Sequence, residues 1–390
     1  MSLIVFCAAL AIGEFAGSFI TRYCEAWPIF AMIAASFALF GYGFGVKGWQ
    51  YGFAFFLGVT LFFVASVESE QQFREQPWMR NRWERTSYGE NNAFSGVRDE
   101  LSRRIGIGLD SERDAVALNR AILLGERKAL PKHMKQAFVE SGTMHVFAIS
   151  GLHVMAVASL LSLIMRLLMV PRRWIGVFAL PFLWAYIIII GYPPSAVRAA
   201  IMATFYLMAP IFWRRPDALR AWALTFLLVY IGKPTMITNV GAALSFIVVL
   251  SIILAGRYSN RFKSRIVSMI FVTFSAWAAG VPIAAHVFGR VTPGGICANL
   301  LLVPVAGVTV VTGMLGMLIS FISETLAAYF NNLSALFTDG MVVISEIVAG
   351  MPGANLEVGK WSLLQCAEWY LVILLILFWA NLREKRELFR

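Results

Sequence analysis

Residues 141–153 read Ser-Gly-Thr-Met-His-Val-Phe-Ala-Ile-Ser-Gly-Leu-His and open an apolar run that continues to Val170. His145 and His153 bracket the pair Ser150 and Gly151. Polar side chains are costly in hydrocarbon, so several gathered at one helix entrance require an explanation. Serine is a good N-cap, and a helix starting at Leu152 would leave backbone N–H groups free in its first turn. Such an end carries partial positive charge and suits a phosphate. The histidines could add donors, and protonation of either would strengthen the attraction for anions. The competing reading is a continuous helix in which Ser150 and Gly151 are small packing residues and the histidines are satisfied.

Residues 191–200, Gly-Tyr-Pro-Pro-Ser-Ala-Val-Arg-Ala-Ala, repeat the theme. Pro193 and Pro194 end one helix, Ser195 can cap the next, and Arg198 falls in its first turn. An arginine there either snorkels to the interface or lines a polar path. A third polar element lies at residues 292–322, which contain Thr292-Pro293-Gly294-Gly295, Asn299, Pro304 and Gly307.

The elements around these residues are those of an all-α polytopic membrane protein. Hydrophobic residues make up 59% and charged residues 14% of the chain, with a mean hydropathy of +0.72. Apolar stretches of membrane-spanning length recur throughout. They predict about ten transmembrane helices plus a broken or re-entrant helix and a short exterior segment. Residues 1–67 form an N-terminal group with runs at 3–20, 28–46 and 50–67, the first read as a retained span because it lacks a basic leader and cleavage site. Residues 68–140 are the water-exposed piece, with an amphipathic helix from Ser111 onward carrying Val116, Leu118, Ala121, Ile122 and Leu124 near the membrane surface. Residues 141–323 form the membrane core, with spans at about 143–165, 174–191, 196–213, 218–231, 237–256 and 265–288. Residues 324–361 read as interfacial, and 362–390 as a last span and tail.

Net charge is +11, but segment 68–140 is nearly balanced and the remaining basic residues sit mostly in short loops. Arg166/Arg172/Arg173, Arg214/Arg215/Arg220 and Arg257/Arg261/Lys263/Arg265 mark alternate loops, and the positive-inside bias places these in the cytoplasm. Segment 68–140 then lies outside and both termini inside. Residues 292–322 must start and finish outside, as a broken helix or re-entrant hairpin lining a cavity, or as a Pro-kinked span with miscounted neighbours. Cys7, Cys24, Cys297 and Cys366 lack metal-ligand spacing and read as packing residues.

Several motifs together resemble the ComEC-type competence proteins, inner-membrane channels for incoming DNA. They are Ala121-Ile-Leu-Leu-Gly-Glu126 through His153, Gly191 with Pro194 to Ala199, Gly241-Ala-Ala-Leu-Ser-Phe246, and Ala298-Asn-Leu300 with Pro304, in family order. The resemblance implies a bacterial inner-membrane channel that moves single-stranded DNA inward during natural transformation. It implies delivery by an exterior receptor, pulling by a cytosolic ATP-driven motor, and no cofactor. The path would run past His145, Ser150, Gly151, His153, Ser195, Arg198 and Asn299, contacting phosphates without reading sequence. The exterior OB-like module of that family looks absent or reduced. With four histidines and no His-x-His, the metallo-β-lactamase-like domain of many relatives is missing too, which leaves room for a separate hydrolase partner. No phosphate loop, HExxH or Ser/His/Asp set is assignable, so no catalytic, metal or cofactor residue is expected. The alternative is a membrane-embedded enzyme or small-solute transporter on the same scaffold.

Overall fold

The computed structural model describes residues 94–109, 113–126, 130–147, 149–232, 240–373 and 375. The expected spans at 3–20, 28–46 and 50–67, Cys7 and Cys24, the first part of the exterior segment and the basic tail lie outside the described residues. Most of the described chain is helical. In chain order the helices are α1 (Ser95–Ile105), α2 (Arg113–Leu124), α3 (Lys132–Glu140), α4 (Gly151–Leu167), α5 (Ile175–Ile189), α6 (Pro194–Met208), α7 (Ala218–Gly232), α8 (Val240–Ser259), α9 (Arg265–Phe288), α10 (Gly294–Ile319) and α11 (Glu324–Ala349). A final apolar helix, α12, covers Leu363–Ile373.

Among the described residues four helices, α8 to α11, are long and apolar enough to cross a membrane, and α4, α5, α7 and α12 are shorter apolar helices. About ten spans is therefore more than the described helices establish. The chain divides into two units, one of residues 76–225 with 292–356 and the other of 226–291 with 357–390 and the N-terminal stretch.

In the first unit α10 and α11 pack along each other as a hairpin. The helices of the exterior segment pack onto it: α1 and α2 against α10, α2 and α3 against α11. A second group, α4 to α6, is mutually packed and joins the hairpin through α4 and α10. The shared core includes Leu118, Ile122 and Leu123 of α2, Phe138 of α3, Val154 of α4, Leu183 of α5 and Leu302 of α10, all buried. The apolar face expected of α2 is thus spent on protein packing, and its period of 3.6 residues serves a helix–helix interface.

Residues 294–319 form one unbroken helix, which corrects the expected break or re-entrant turn in 292–322. Pro304 lies inside α10 without ending it. A proline is tolerated within such helices because local adjustment and neighbouring groups satisfy the carbonyl it frees. Residues 324–349, read from sequence as interfacial, form a single 26-residue helix. Its polar side chains Asn331, Ser334, Thr338 and Ser345 are buried at helical spacing on one face.

The second unit shows how such a proline is accommodated. Pro282 sits within α9 and leaves the carbonyl of Ala278 without its helical donor. The indole Nε1 of Trp369 on α12 donates to that oxygen at 3.0 Å, and Tyr370 Oη donates to the next carbonyl, Ala279, at 2.8 Å. Buried Cys366 packs here as expected, whereas Cys297 on α10 is exposed.

Candidate functional site

The backbone breaks where the Ser-Gly pair stands. A 3-10 turn over Met144–Val146 ends at Phe147, and α4 begins at Gly151 with Ser150 as its N-cap in an extended conformation (φ −112°, ψ 179°). The helix starts one residue earlier than the sequence predicts. His153 occupies the third helical position and closes a capping box, in which the N–H of Ser150 donates to Nδ1 of His153 at 3.3 Å. Ser150 Oγ is 3.2 Å from the same nitrogen. Nδ1 thus serves as the acceptor that closes the helix start. His153 takes the place usually held by Glu or Gln in this motif, and it is fully buried (0% exposed).

The start of α6 lies alongside. Pro194 takes the first helical position, where its missing N–H costs nothing, and Pro193 is the N-cap. Ser195 is therefore not the cap that the sequence predicts. It lies inside the first turn, and its Oγ donates instead to the carbonyl of Ile149, the residue before Ser150, at 2.6 Å. This bond ties the two helix starts together. A Cβ placed on Gly151 would meet the Cβ of Ala199 at 3.8 Å, ordinary van der Waals contact. Arg198, one turn into α6, is only 7% exposed and so does not snorkel to the surface.

Two glycines shape the approach to this junction. Gly125 (φ +75°), from the Leu-Leu-Gly-Glu segment, turns the chain after α2 so closely against Ile149 that a Cβ would stand 2.9 Å from its Cδ1. Gly142 (φ +74°) does the same against Thr292, with Oγ1 2.5 Å from the position of a Cβ. Only glycine enters the left-handed region without steric cost, and any side chain would also collide here. The carbonyls at the end of α2 are held by side chains: Arg98 Nη2 donates to Leu124 at 3.0 Å and Tyr186 Oη to Leu123 at 2.8 Å. Arg98 also pairs with Glu126 at 3.3 Å.

The predicted residues thus fall into three groups. Ser150, Gly151, His153, Ser195 and Arg198 share the paired starts of α4 and α6. His145 is in the 3-10 turn just before them and is exposed. Asn299 lies in the second turn of α10, near Gly295, which stands against the Ser141 carbonyl. Among the described residues no hydrogen bond joins Asn299 to the Ser150–Ser195 group, and its buried Oδ1 has no partner.

A buried polar seam escaped the sequence reading. Ser334 and Thr338 of α11 donate to Oδ1 of Asn119 on α2 at 3.1 and 2.8 Å. Nearer the α4 start, Ser141 Oγ is 2.7 Å from Thr143 Oγ1, which is 3.4 Å from Ser345 Oγ. Asn331 Nδ2 donates to the carbonyls of Arg104 and Ile107 at 3.0 Å each. The signal was the spacing of Asn331, Ser334, Thr338 and Ser345, which places four hydrogen-bonding side chains on one helix face. Among the described residues no group of three metal-ligating side chains occurs.

Two packed groups of apolar helices, a seam of buried polar side chains along α11 and a helix break at Ser150 define a polytopic helical membrane protein. The chain belongs to the competence protein family, whose model matches residues 122–383. It is similar to ComE operon protein 3 of Bacillus subtilis (28% identical over 191 residues, 49% of this chain and 25% of that relative). It is also similar to competence protein ComA of Neisseria gonorrhoeae (31% over 153 residues, 36% of this chain and 22% of the relative). A third relative is the uncharacterized protein YcaI of Escherichia coli (22% over 268 residues, 64% of this chain and 35% of the relative). The matches to the first two take in about a quarter of those proteins' length. No solved structure matches the chain.

Proposed function

We propose that the chain forms the passage through which single-stranded DNA crosses the bacterial inner membrane during natural transformation. The observation that carries this reading is the side-by-side placement of two broken helix starts, α4 at Ser150 and α6 at Pro194, within the region matched by the family. Free N–H groups of adjacent first turns offer a sequence-independent surface for phosphates. In this reading Ser150, Gly151, Ser195 and Arg198 border the path, His153 holds the shape of the α4 start, and His145 and Asn299 stand at its approaches. The chain carries no chemical step. A receptor outside, an ATP-driven motor inside and a hydrolase on another chain would supply delivery, force and strand removal.

Both termini and the loops after α4, α6 and α8 are cytoplasmic in this proposal, and segment 68–140 is exterior, as the basic loops direct. The hairpin fits the same scheme in a new way. Helix α10 begins beside Ser141 and Gly142, the residues that follow the exterior segment, and ends beside Arg104 within it. In this proposal it starts and finishes outside without a re-entrant turn.

Deleting the gene in a transformable host and following labelled duplex DNA into the cytoplasm tests the function. Uptake as nuclease-protected single strand should disappear and return with the intact gene. Undiminished uptake in the deletion strain, with the competence genes expressed, would refute the proposal.

A further inference from the structure

The loops that close α4 and α6, residues 168–174 and 209–217, meet at the end of these helices away from Ser150. Each closes by the same device. The N–H of Val170 donates back to Met165 and that of Arg214 to Ala209, both at 3.0 Å, with the residue just before it in the left-handed region. Those residues are Met169 (φ 58°) and Trp213 (φ 55°), at positions usually given to glycine. Their side chains project outward, Met169 88% and Trp213 85% exposed. The guanidinium of Arg173 joins the two loops, 5.7 Å from the ring of Trp174 and 5.8 Å from that of Trp213.

Around this sandwich the charge is of one sign. Arg172, Arg214 and Arg215 are exposed, and none forms an ion pair among the described residues. The one acid nearby in sequence, Asp217, accepts the N–H groups of Leu219 and Arg220 at the start of α7. The rim borders an apolar flank, with Phe178 and Phe182 of α5 exposed below Trp174. Exposed aromatic and aliphatic side chains in one patch are unfavourable in water. Tryptophan with arginine above an apolar band is the composition suited to the headgroup layer of a bilayer.

We propose that this end of the α4–α6 group is a binding face for anionic phospholipid headgroups. Arg172, Arg214 and Arg215 take the phosphates, and Trp174 and Trp213 are seated at the level of the glycerol backbone. The Arg173 sandwich holds the two loops as one platform. A single-stranded nucleic acid would meet the same charges and could stack on an aromatic ring, but it would leave the apolar flank of Met169, Phe178 and Phe182 in water, whereas acyl chains cover all three.

The full chain is reconstituted into phosphatidylcholine vesicles containing brominated phosphatidylglycerol or brominated phosphatidylcholine at equal mole fraction. Quenching is measured for the wild type and for a Trp174→Phe/Trp213→Phe variant, and the difference isolates those two indoles. Brominated phosphatidylglycerol should quench them at least about twofold more than brominated phosphatidylcholine, since each basic side chain near the surface favours anionic lipid several-fold. The preference should vanish in Arg172→Gln/Arg214→Gln/Arg215→Gln and fall partway in Arg172→Gln alone, which is read in parallel in case the triple variant fails to reconstitute. Equal quenching by both lipids, or an undiminished preference in the arginine variants, overturns the proposal. Displacement of brominated phosphatidylglycerol by oligothymidylate at physiological salt also overturns it and assigns the face to nucleic acid. Neither result bears on whether DNA uptake depends on the Ser150 junction.

Discussion

Arg104 grips Ser320. Its Nη1 donates to the Ser320 carbonyl at 2.7 Å, and its guanidinium lies 3.9 Å from the ring centre of Phe321. This fastens α1 to the turn between α10 and α11, while Thr143 approaches Ser345 near the hairpin's other end. Between these two contacts α11 runs for about 30 Å at 1.5 Å per residue.

One chain segment therefore accompanies the hairpin over a length close to the hydrocarbon thickness. If that segment is exterior, a cysteine placed at Ile322, 88% exposed in the turn, should react with an impermeant maleimide added outside intact cells. Ser87→Cys should react likewise and Ser264→Cys should not. Reaction of Ile322→Cys only after the membrane is opened would show that the hairpin crosses, and the proposed orientation of α10 would fall.

The junction at Ser150 makes a second prediction. Alanine fits at Gly151, where the nearest Cβ is 3.8 Å away, but leucine extends into the seam between α4 and α6. Gly151→Ala should leave DNA uptake near normal. Gly151→Leu should block it at near-normal protein abundance, and Arg198→Ala should reduce it without preventing insertion. Normal uptake in both Gly151→Leu and Arg198→Ala would remove these residues from the path.

His153 separates a cap from a contact. Gln at this position can still accept the Ser150 N–H, and Ala cannot. Loss of the cap costs about 1 kcal/mol. His153→Ala should lower the melting temperature in detergent, and His153→Gln should recover most of it together with uptake. Stable His153→Gln protein that still fails to take up DNA would mean that the imidazole meets the strand.

Asn119 should be the least replaceable residue of the polar seam. Its Oδ1 accepts from two buried hydroxyls, so Asn119→Leu removes the acceptor they share and leaves them only the backbone carbonyls of Thr309 and Ser334. A buried hydrogen bond contributes about 0.5–1.5 kcal/mol. Thermal unfolding should show a clear loss of stability, with Ser334→Ala/Thr338→Val restoring part of it when combined. An Asn119→Leu protein as stable as wild type would contradict this account.

Glu100 gives a pH dependence on α1. The hydrogen bond from Arg103, with a further one from Arg104, lowers its carboxyl from 4.5 to about 2. A carboxyl held low in the folded state contributes stability above about pH 4.5, and the contribution disappears as pH falls toward about 2. The group is exposed, so the effect is small and weakens with salt. Glu100→Gln should show less loss of α1 helicity than wild type across that acid range. Identical acid titrations of the two proteins would count against the ion-paired geometry.

The helix break at Ser150 was legible because Ser-Gly is both a cap and an interruption within an apolar run. The start of α6 was legible from Pro193-Pro194, but Ser195 was misread because proline at the first helical position moves serine inside the helix. Pro304 misled for a related reason. Local rules treat it as a breaker, whereas a packed apolar helix absorbs it. The membership of α11 in the hairpin was hidden by Asn331, Ser334 and Asp339, which dilute its apolar character along the chain. Burial sorts Asn331 and Ser334 onto the inner face, and that depends on partners more than 200 residues away in sequence.

Gly176, near the start of α5, lies directly on the backbone of Leu207 in α6, where even a methyl group would overlap the carbonyl. Two helices in backbone contact cannot slide or part without opening a void along their whole seam. Helices α5 and α6 therefore behave as one rigid lever. Helix α4 packs along both of them, and at its start the Ser195–Ile149 hydrogen bond and an ordinary methyl-scale contact at Gly151 join it to α6. Any widening at that end would have to carry α5 and α6 together.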